Sequence, residues 1–153
     1  MLDLFSGTKG WSQPFDDHGH ETFSIDLDHR FEADAHIDIG DVAAVLRCVP
    51  WRPDYIFASP PCNSFSTMTM GRMWTHDGQP KHRLAVEGRR LVLATIRIVS
   101  VLQPGLGWVI ENPRAHLRSL DLLHGVPVQT ISQCQYGTER QKMTDLFGVL
   151  PPP

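Results

Sequence analysis

Thiols are scarce in this 153-residue chain: Cys48, Cys62 and Cys134 are widely spaced, and no CxxC pair occurs. An odd, scattered set argues against a disulfide framework or a structural zinc site, and for a reducing cytoplasm. No apolar stretch approaches the roughly 18 residues that a membrane span needs, and no signal peptide opens the chain. The histidines of HGH at 18–20 and DAHID at 34–38 lack a third ligand at sensible spacing, so no metal is expected. Internal repeats and low-complexity tracts are absent too, apart from PPP at 151–153, which reads as a tail. What is present, 41% hydrophobic and 20% charged residues, is ordinary for a soluble globular protein. The length suffices for one domain with a sizeable core, expected over residues 1–150.

Charge is unevenly spread. Residues 1–70 carry 4 Lys/Arg against 11 Asp/Glu, whereas residues 71–153 carry 10 against 6. A bound polyanion should therefore meet the second half, around Arg72, Lys81, Arg83, Arg89 and Arg90. The plain alternative is a solvated helix face, and a charge run alone favours that alternative.

Short apolar runs alternate with helical patterns. LDLF at 2–5 reads as a strand, SGTKGW as the turn into a short helix, ETFSIDLD as a second strand and AHIDIGD as a weaker third. VAAVLRCV forms a short helix before the strand at 54–58. The segment RLAVEGRRLVLATIRIVSVL places Leu84, Leu91, Thr95, Val99 and Leu102 near one stripe at helical spacing, and Pro104-Gly105 ends it. GWVIENP, VPVQTISQ and MTDLFGVL are the last strands. The alternation predicts an α/β fold, a doubly wound and mostly parallel sheet covered on both faces. Ligands of such sheets bind outside the carboxyl ends of the strands.

Those ends carry Phe5-Ser6-Gly7, Asp26-Leu27-Asp28, Gly40-Asp41, Ser59-Pro60-Pro61-Cys62, Glu111-Asn112-Pro113 and Tyr136-Gly137. A glycine turn lets backbone approach a ligand, and an acidic residue some 20 positions on can accept both ribose hydroxyls. Asp41 could accept from an exocyclic amino group. Together they indicate a nucleoside-bearing cofactor, against the alternative of ordinary capping by Asp and Gly.

Cys62 stands apart because position and partners both point to chemistry. A free thiol titrates near 8.5, and an amide-rich turn raises its thiolate fraction. Pro60 and Pro61 fix the backbone before it. Glu111, ending a neighbouring strand, is a carboxylate that a dry core would not tolerate unpaired. A nucleophile and an acid facing one pocket would make a covalent catalyst.

These residues resemble the catalytic domain of the DNA cytosine-5 methyltransferases. DLFSGTKGW at 3–11 resembles the family's opening signature, SPPCNSFS at 59–66 its nucleophile motif and ENP at 111–113 its glutamate motif. YGTERQK at 136–142 is similar to its basic segment. The resemblance implies the Rossmann-like methyltransferase fold and S-adenosyl-L-methionine as cofactor. It implies that Phe5, Gly7, Thr8, Gly10 and Pro60 line the cofactor, that Asp26 holds the ribose, that Leu27 covers the adenine and that Asp41 bonds its amino group. It further implies that Cys62 attacks carbon 6 of cytosine, that Glu111 bonds ring nitrogen 3 and the amino group, and that Arg140 and Lys142 support the base. Lys9 stands where the family usually has glycine, and Asn63 replaces the usual glutamine after the cysteine.

No target-recognition domain is expected within these 153 residues. DNA, duplex or single-stranded, is the expected partner, with RNA or a free cytidine nucleotide and a non-catalytic cofactor- or DNA-binding subunit as alternatives. A homodimer or a partner subunit could complete the cleft. Flipping a base out of a duplex needs groups to fill the gap, and Met68, Met70, Met73 and Trp74 in the loop 67–82 are candidates, with a surface loop as the equal alternative.

Overall fold

The computed structural model describes the chain except Thr67, Met68, Thr138, Arg140 and 150–153, and the side chain of Met70. Its centre is a six-stranded sheet in the order β2-β1-β3-β4-β6-β5, where β1 is Leu2–Leu4, β2 Phe23–Ile25, β3 Tyr55–Ala58, β4 Gly107–Pro113, β5 Val128–Ser132 and β6 Met143–Val149. The first four strands run parallel, and β6 lies antiparallel between β4 and β5. The helices are α1 (Ser12–Asp17), α2 (Val42–Cys48), α3 (Met70–Met73) and α4 (Arg83–Leu102), joined by three 3-10 turns. The expected third strand, AHIDIGD, is reduced to one bridge between Ala35 and Ile25. Its Asp38 and Asp41 turn the backbone instead, since Gly40 N–H donates to Asp38 Oδ1 at 2.8 Å and the carboxylate of Asp41 caps α2.

The two sheet faces are unequally covered. On one, Leu2, Leu4, Ile56, Ala58 and Ile110 pack with Val45 of α2 and with Ala85, Leu91, Val92, Ile98 and Val99 of α4. The buried stripe of α4 differs from the sequence reading at one end: Leu84 is exposed, and Ala85 and Gly88 take the inner positions. The opposite face holds a smaller cluster of Met1, Phe57, Val109 and Leu146, against which Trp11, Phe15 and Tyr55 pack. Trp11 stacks on Phe57 with ring centroids 4.9 Å apart. Coverage there comes from the six-residue α1, so both faces carry helix as expected, one more thinly than the other.

Beyond β4 the chain is pinned by charge. Asp145 of β6, 1% exposed, accepts from Arg118 Nε at 2.8 Å, from Arg118 Nη2 at 2.7 Å and from Thr130 Oγ1 at 2.8 Å. Such a carboxylate is tolerable inside only because its oxygens are paired and hydrogen-bonded. Among the described residues no helix is long and apolar enough to cross a membrane.

Candidate active site

The sheet order reverses between β1 and β3, because β1 continues to β2 on one side and β3 to β4 on the other. A crevice opens at such a switch point, outside the carboxyl ends of the two strands. Here it is a cavity of about 440 Å³ whose walls include Phe5, Gly7, Asp26, Leu27, Asp38 and Pro61. The turn after β1 is held by backbone: Phe5 and Ser6 N–H donate to Ile25 O at 2.9 and 3.2 Å. Phe5 and Lys9 both adopt positive φ, 61° and 58°, conformations that cost a non-glycine residue energy and cluster at functional sites.

Asp26 is oriented before any ligand arrives. Its Oδ2 accepts from Gly7 N–H at 2.8 Å and its Oδ1 from Asp28 N–H at 2.8 Å. Each oxygen keeps lone-pair capacity, so an anchored carboxylate lines the cavity beside Leu27, an apolar side chain left 60% exposed. An acceptor for paired hydroxyls next to apolar cover for a flat ring fits a nucleoside-bearing cofactor.

Three expectations shift within this cavity. Asp41 is not brought to it: its Oδ1 accepts from Ala44 N–H at 2.9 Å as the cap of α2, while Asp38 and Ile39 stand on the wall. Thr8 is exposed and outside the lining. Pro60 is buried and its neighbour Pro61 takes the wall position, because alternate residues leaving a strand point to opposite sides.

A second cavity, of about 310 Å³, lies next to the first and shares Ser59 with it. Its walls include Gly10, Trp11, Glu111, Lys142 and Thr144, so Gly10 belongs here and not with Gly7. Trp11 is fixed by donating from Nε1 to Ser59 Oγ at 2.9 Å. Among the described residues Glu111 Oε1 is buried without a hydrogen-bond partner, and Lys142 Nζ stands 3.6 Å away, close enough to attract but too far to bond. An orphaned buried acceptor is costly, and it calls for a donor. Arg140 lies outside the described residues.

Cys62 is a half-buried free thiol on the loop that follows Pro60 and Pro61. It lines neither cavity, so the expectation of Cys62 and Glu111 on one pocket wall becomes a looser arrangement. Glu111 occupies the second cavity, Pro61 the first, and the cysteine follows Pro61 on the loop carrying Ser59, which borders both. Two bonds tie this loop to β4 and its continuation. Asn112 Nδ2 donates to Pro60 O at 3.0 Å, and His116 N–H donates to Phe65 O at 2.9 Å. Burial of His116 lowers its pKa.

Trp74 is no candidate for filling a gap in a duplex. It is 3% exposed, donates to Ser64 O at 2.7 Å and stacks on Phe65 at 5.6 Å. Its place is beneath the cysteine loop. Met68 lies outside the described residues, as does the side chain of Met70. Of the basic residues expected to meet a polyanion, Arg90 is engaged by Asp38 and Glu87.

No family model matches the chain. A probable DNA (cytosine-5)-methyltransferase of frog virus 3 (isolate Goorha) is 27% identical over 169 aligned residues, covering 99% of this chain and 72% of the relative. Among solved structures, the Entamoeba histolytica methyltransferase EhMeth superposes with TM-score 0.63 at 15% identity, over 99% of this chain and 52% of that one. Dnmt2 methyltransferase of S. pombe gives 0.57 at 15%, over 99% and 50%, and a SAM-dependent methyltransferase of Agrobacterium tumefaciens gives 0.54 at 17%, over 99% and 55%. The chain thus spans about half the length of these solved structures. The fold is the Rossmann-like fold of S-adenosylmethionine-dependent methyltransferases.

Proposed function

We propose, from the premise that the chain is a partial domain of cytosine-5 methyltransferase type, that it methylates carbon 5 of cytosine in DNA. The observation that carries this reading is the pairing of an anchored nucleoside cavity with a neighbouring pocket whose buried Glu111 oxygen lacks a donor among the described residues. Phe5, Gly7, Asp26, Leu27, Asp38 and Pro61 would hold S-adenosyl-L-methionine, which supplies an electrophilic sulfonium methyl when bound.

The residues of the chain account for the rest. Cytosine carbon 5 is a poor nucleophile while the ring is aromatic. Addition of Cys62 Sγ to carbon 6 breaks the aromaticity and makes carbon 5 enamine-like. One Glu111 oxygen accepts from the amino group of cytosine, and the carboxyl, entering protonated, shares its proton with ring nitrogen 3, so the electron density shifted by the thiolate is stabilised at the ring and the proton returns when the thiolate leaves. Lys142 balances the charge of Glu111 from 3.6 Å. After methylation, loss of the carbon 5 proton to a base, with water the available one, releases the thiolate. The Pro60-Pro61 turn and the Asn112 bond restrict where the sulfur can go, and restricted approach can supply several kcal/mol of a barrier.

The test is trapping. An oligonucleotide containing 5-fluorocytosine, with S-adenosylmethionine, should give an adduct that survives denaturation, because fluorine cannot leave as the proton does. Cys62→Ala should give none. If duplex, single-stranded and free-nucleotide substrates all fail with the intact chain, a non-catalytic subunit becomes the better reading. An adduct on RNA or nucleotide alone would keep the chemistry and move the substrate.

A further inference from the structure

Asp38 reaches the cofactor cavity from a loop that lacks the strand expected there, so something other than a β-ladder must fix it. Two donors do. Gly40 N–H donates to its Oδ1 at 2.8 Å, and Arg90 Nη2 of α4 donates to Oδ1 and Oδ2 at 3.0 and 2.8 Å. Arg90 is itself held from its own helix, with Nε 2.9 Å from Glu87 Oε2 and Nη2 2.6 Å from Glu87 Oε1. Glu87 first, and Asp38 with it, raise the pKa of this guanidinium.

A glycine makes the reach possible. A Cβ on Gly40 would fall on Nη1 of Arg90, so the guanidinium lies directly against the backbone of residue 40. Gly40 shows no left-handed φ, so its need here is for space and not for conformation. Asp38 and Arg90 are each about two-fifths exposed (39% and 40%), and exposed ion pairs contribute little to folding. What this one supplies is direction. The planar fork of arginine fixes a carboxylate in a way that the point charge of lysine does not.

We infer that Arg90, seated on Gly40 and braced by Glu87, is a positioning residue that aims Asp38 at an amino group on the purine of the bound nucleoside. Asp38 keeps a free lone pair on Oδ2, and without the cation Asp38 and Glu87 would be unneutralised like charges on one wall, beside Asp26. The inference rests on the reading of this cavity as the cofactor site.

Calorimetry with S-adenosylhomocysteine and its inosine analogue, in which an oxo group replaces the amino group, tests it. Arg90→Ala should weaken S-adenosylhomocysteine about tenfold, the loss of one charge-assisted contact. Binding of the inosine analogue should change less than about twofold, since it offers Asp38 no amino donor. Gly40→Ala leaves the arginine in the sequence but displaces it, and should reproduce both results. Arg90→Lys should fall between. Thermal melts establish that each variant is folded, and Gly40→Ala or Arg90→Lys carries the test should Arg90→Ala not be. Equal weakening of both ligands, or intact affinity in either Arg90→Ala or Gly40→Ala, overturns the inference alone. Absence of heat with the intact protein overturns the cofactor reading beneath it.

Discussion

The two cavities that share Ser59 are built on opposite plans. In the first, the key carboxylates are already engaged: Asp26 by two backbone amides, Asp38 by an amide and Arg90. In the second, among the described residues, Glu111 presents a buried oxygen with no hydrogen bond, and Lys142 stands 3.6 Å from it. A site whose acceptors are pre-anchored loses little freedom when a ligand binds. A site with an unmet acceptor is stabilised by whatever supplies the donor. The difference separates binding from chemistry: the first cavity is organised for retention, and the second is organised so that its best interactions form with the reacting base.

The sharpest way to break that contrast is Glu111→Gln. If the carboxylate acts on the ring, the methyl-transfer rate should fall by a factor on the order of 100 to 1,000, the usual cost of losing one charge-stabilising group. S-adenosylhomocysteine binding should not change. Melting temperature should hold or rise, because the substitution removes a buried charge that has no bonded partner among the described residues. Single-turnover kinetics beside a thermal melt gives both readings. A fall in stability without a fall in rate would make Glu111 structural and erase the distinction between the cavities.

The first cavity was far more legible in the sequence than the second. The Gly7 turn, Asp26 and Leu27 follow from strand ends and spacing, and each lies on the wall. The miss at Asp41 has a local cause. In DIGD both aspartates are turn formers, and only the burial of Ile39, 2% exposed, decides which carboxylate reaches the cavity. That burial depends on α2 and α4, so no window of a few residues contains it. Pro61 and Pro60 exchanged places because the direction of a side chain beyond a strand depends on how the turn leaves the sheet. Trp74 looked like a surface aromatic since its partners, Phe65 and His116, are 9 and 42 positions away. The long helix and the six strands needed only periodicity and punctuation, which also gave a seventh strand, AHIDIGD, that the structure reduces to one bridge.

A smaller effect probes β1, the strand from whose end the first cavity opens. Asp3, fully buried in β1, accepts from Ser12 N–H at 3.1 Å while its other oxygen has no partner. Burial pushes its pKa from 3.8 up to about 6, against the lowering effect of Ser12. Because the folded value is the higher one, the folded state binds the proton more tightly. Stability should therefore fall as pH rises through 4 to 6, and the penalty is fully present above 6. Two pH units correspond to roughly 3 kcal/mol. Part of the penalty is already present at pH 4.5, so urea unfolding at pH 4.5 and 7.5 should show a pH difference that shrinks by about 2 kcal/mol in Asp3→Asn. An unchanged difference would mean that the carboxyl is hydrated despite its burial.

The smallest effect concerns the loop itself. Lys9 sits at φ 58°, in the left-handed region, and its N–H donates to Ser6 O at 2.7 Å, so the conformation is enforced by the turn. A side chain there costs about 1 kcal/mol, but Lys9 also attracts Asp3 and Asp34, whose pKa values it lowers. Lys9→Ala removes the charge and keeps the strain, whereas Lys9→Gly removes both. The glycine variant should thus be more stable than the alanine variant by about 1 kcal/mol, or about 2–4 °C in melting temperature. The Asp3 transition should move upward in both, since both lose the same cation. If alanine and glycine melt together, the turn is free to relax, and the first cavity is not held by a rigid backbone. Then the advantage in order assigned to it over the Glu111 pocket rests on the hydrogen bonds of Asp26 and Asp38 alone.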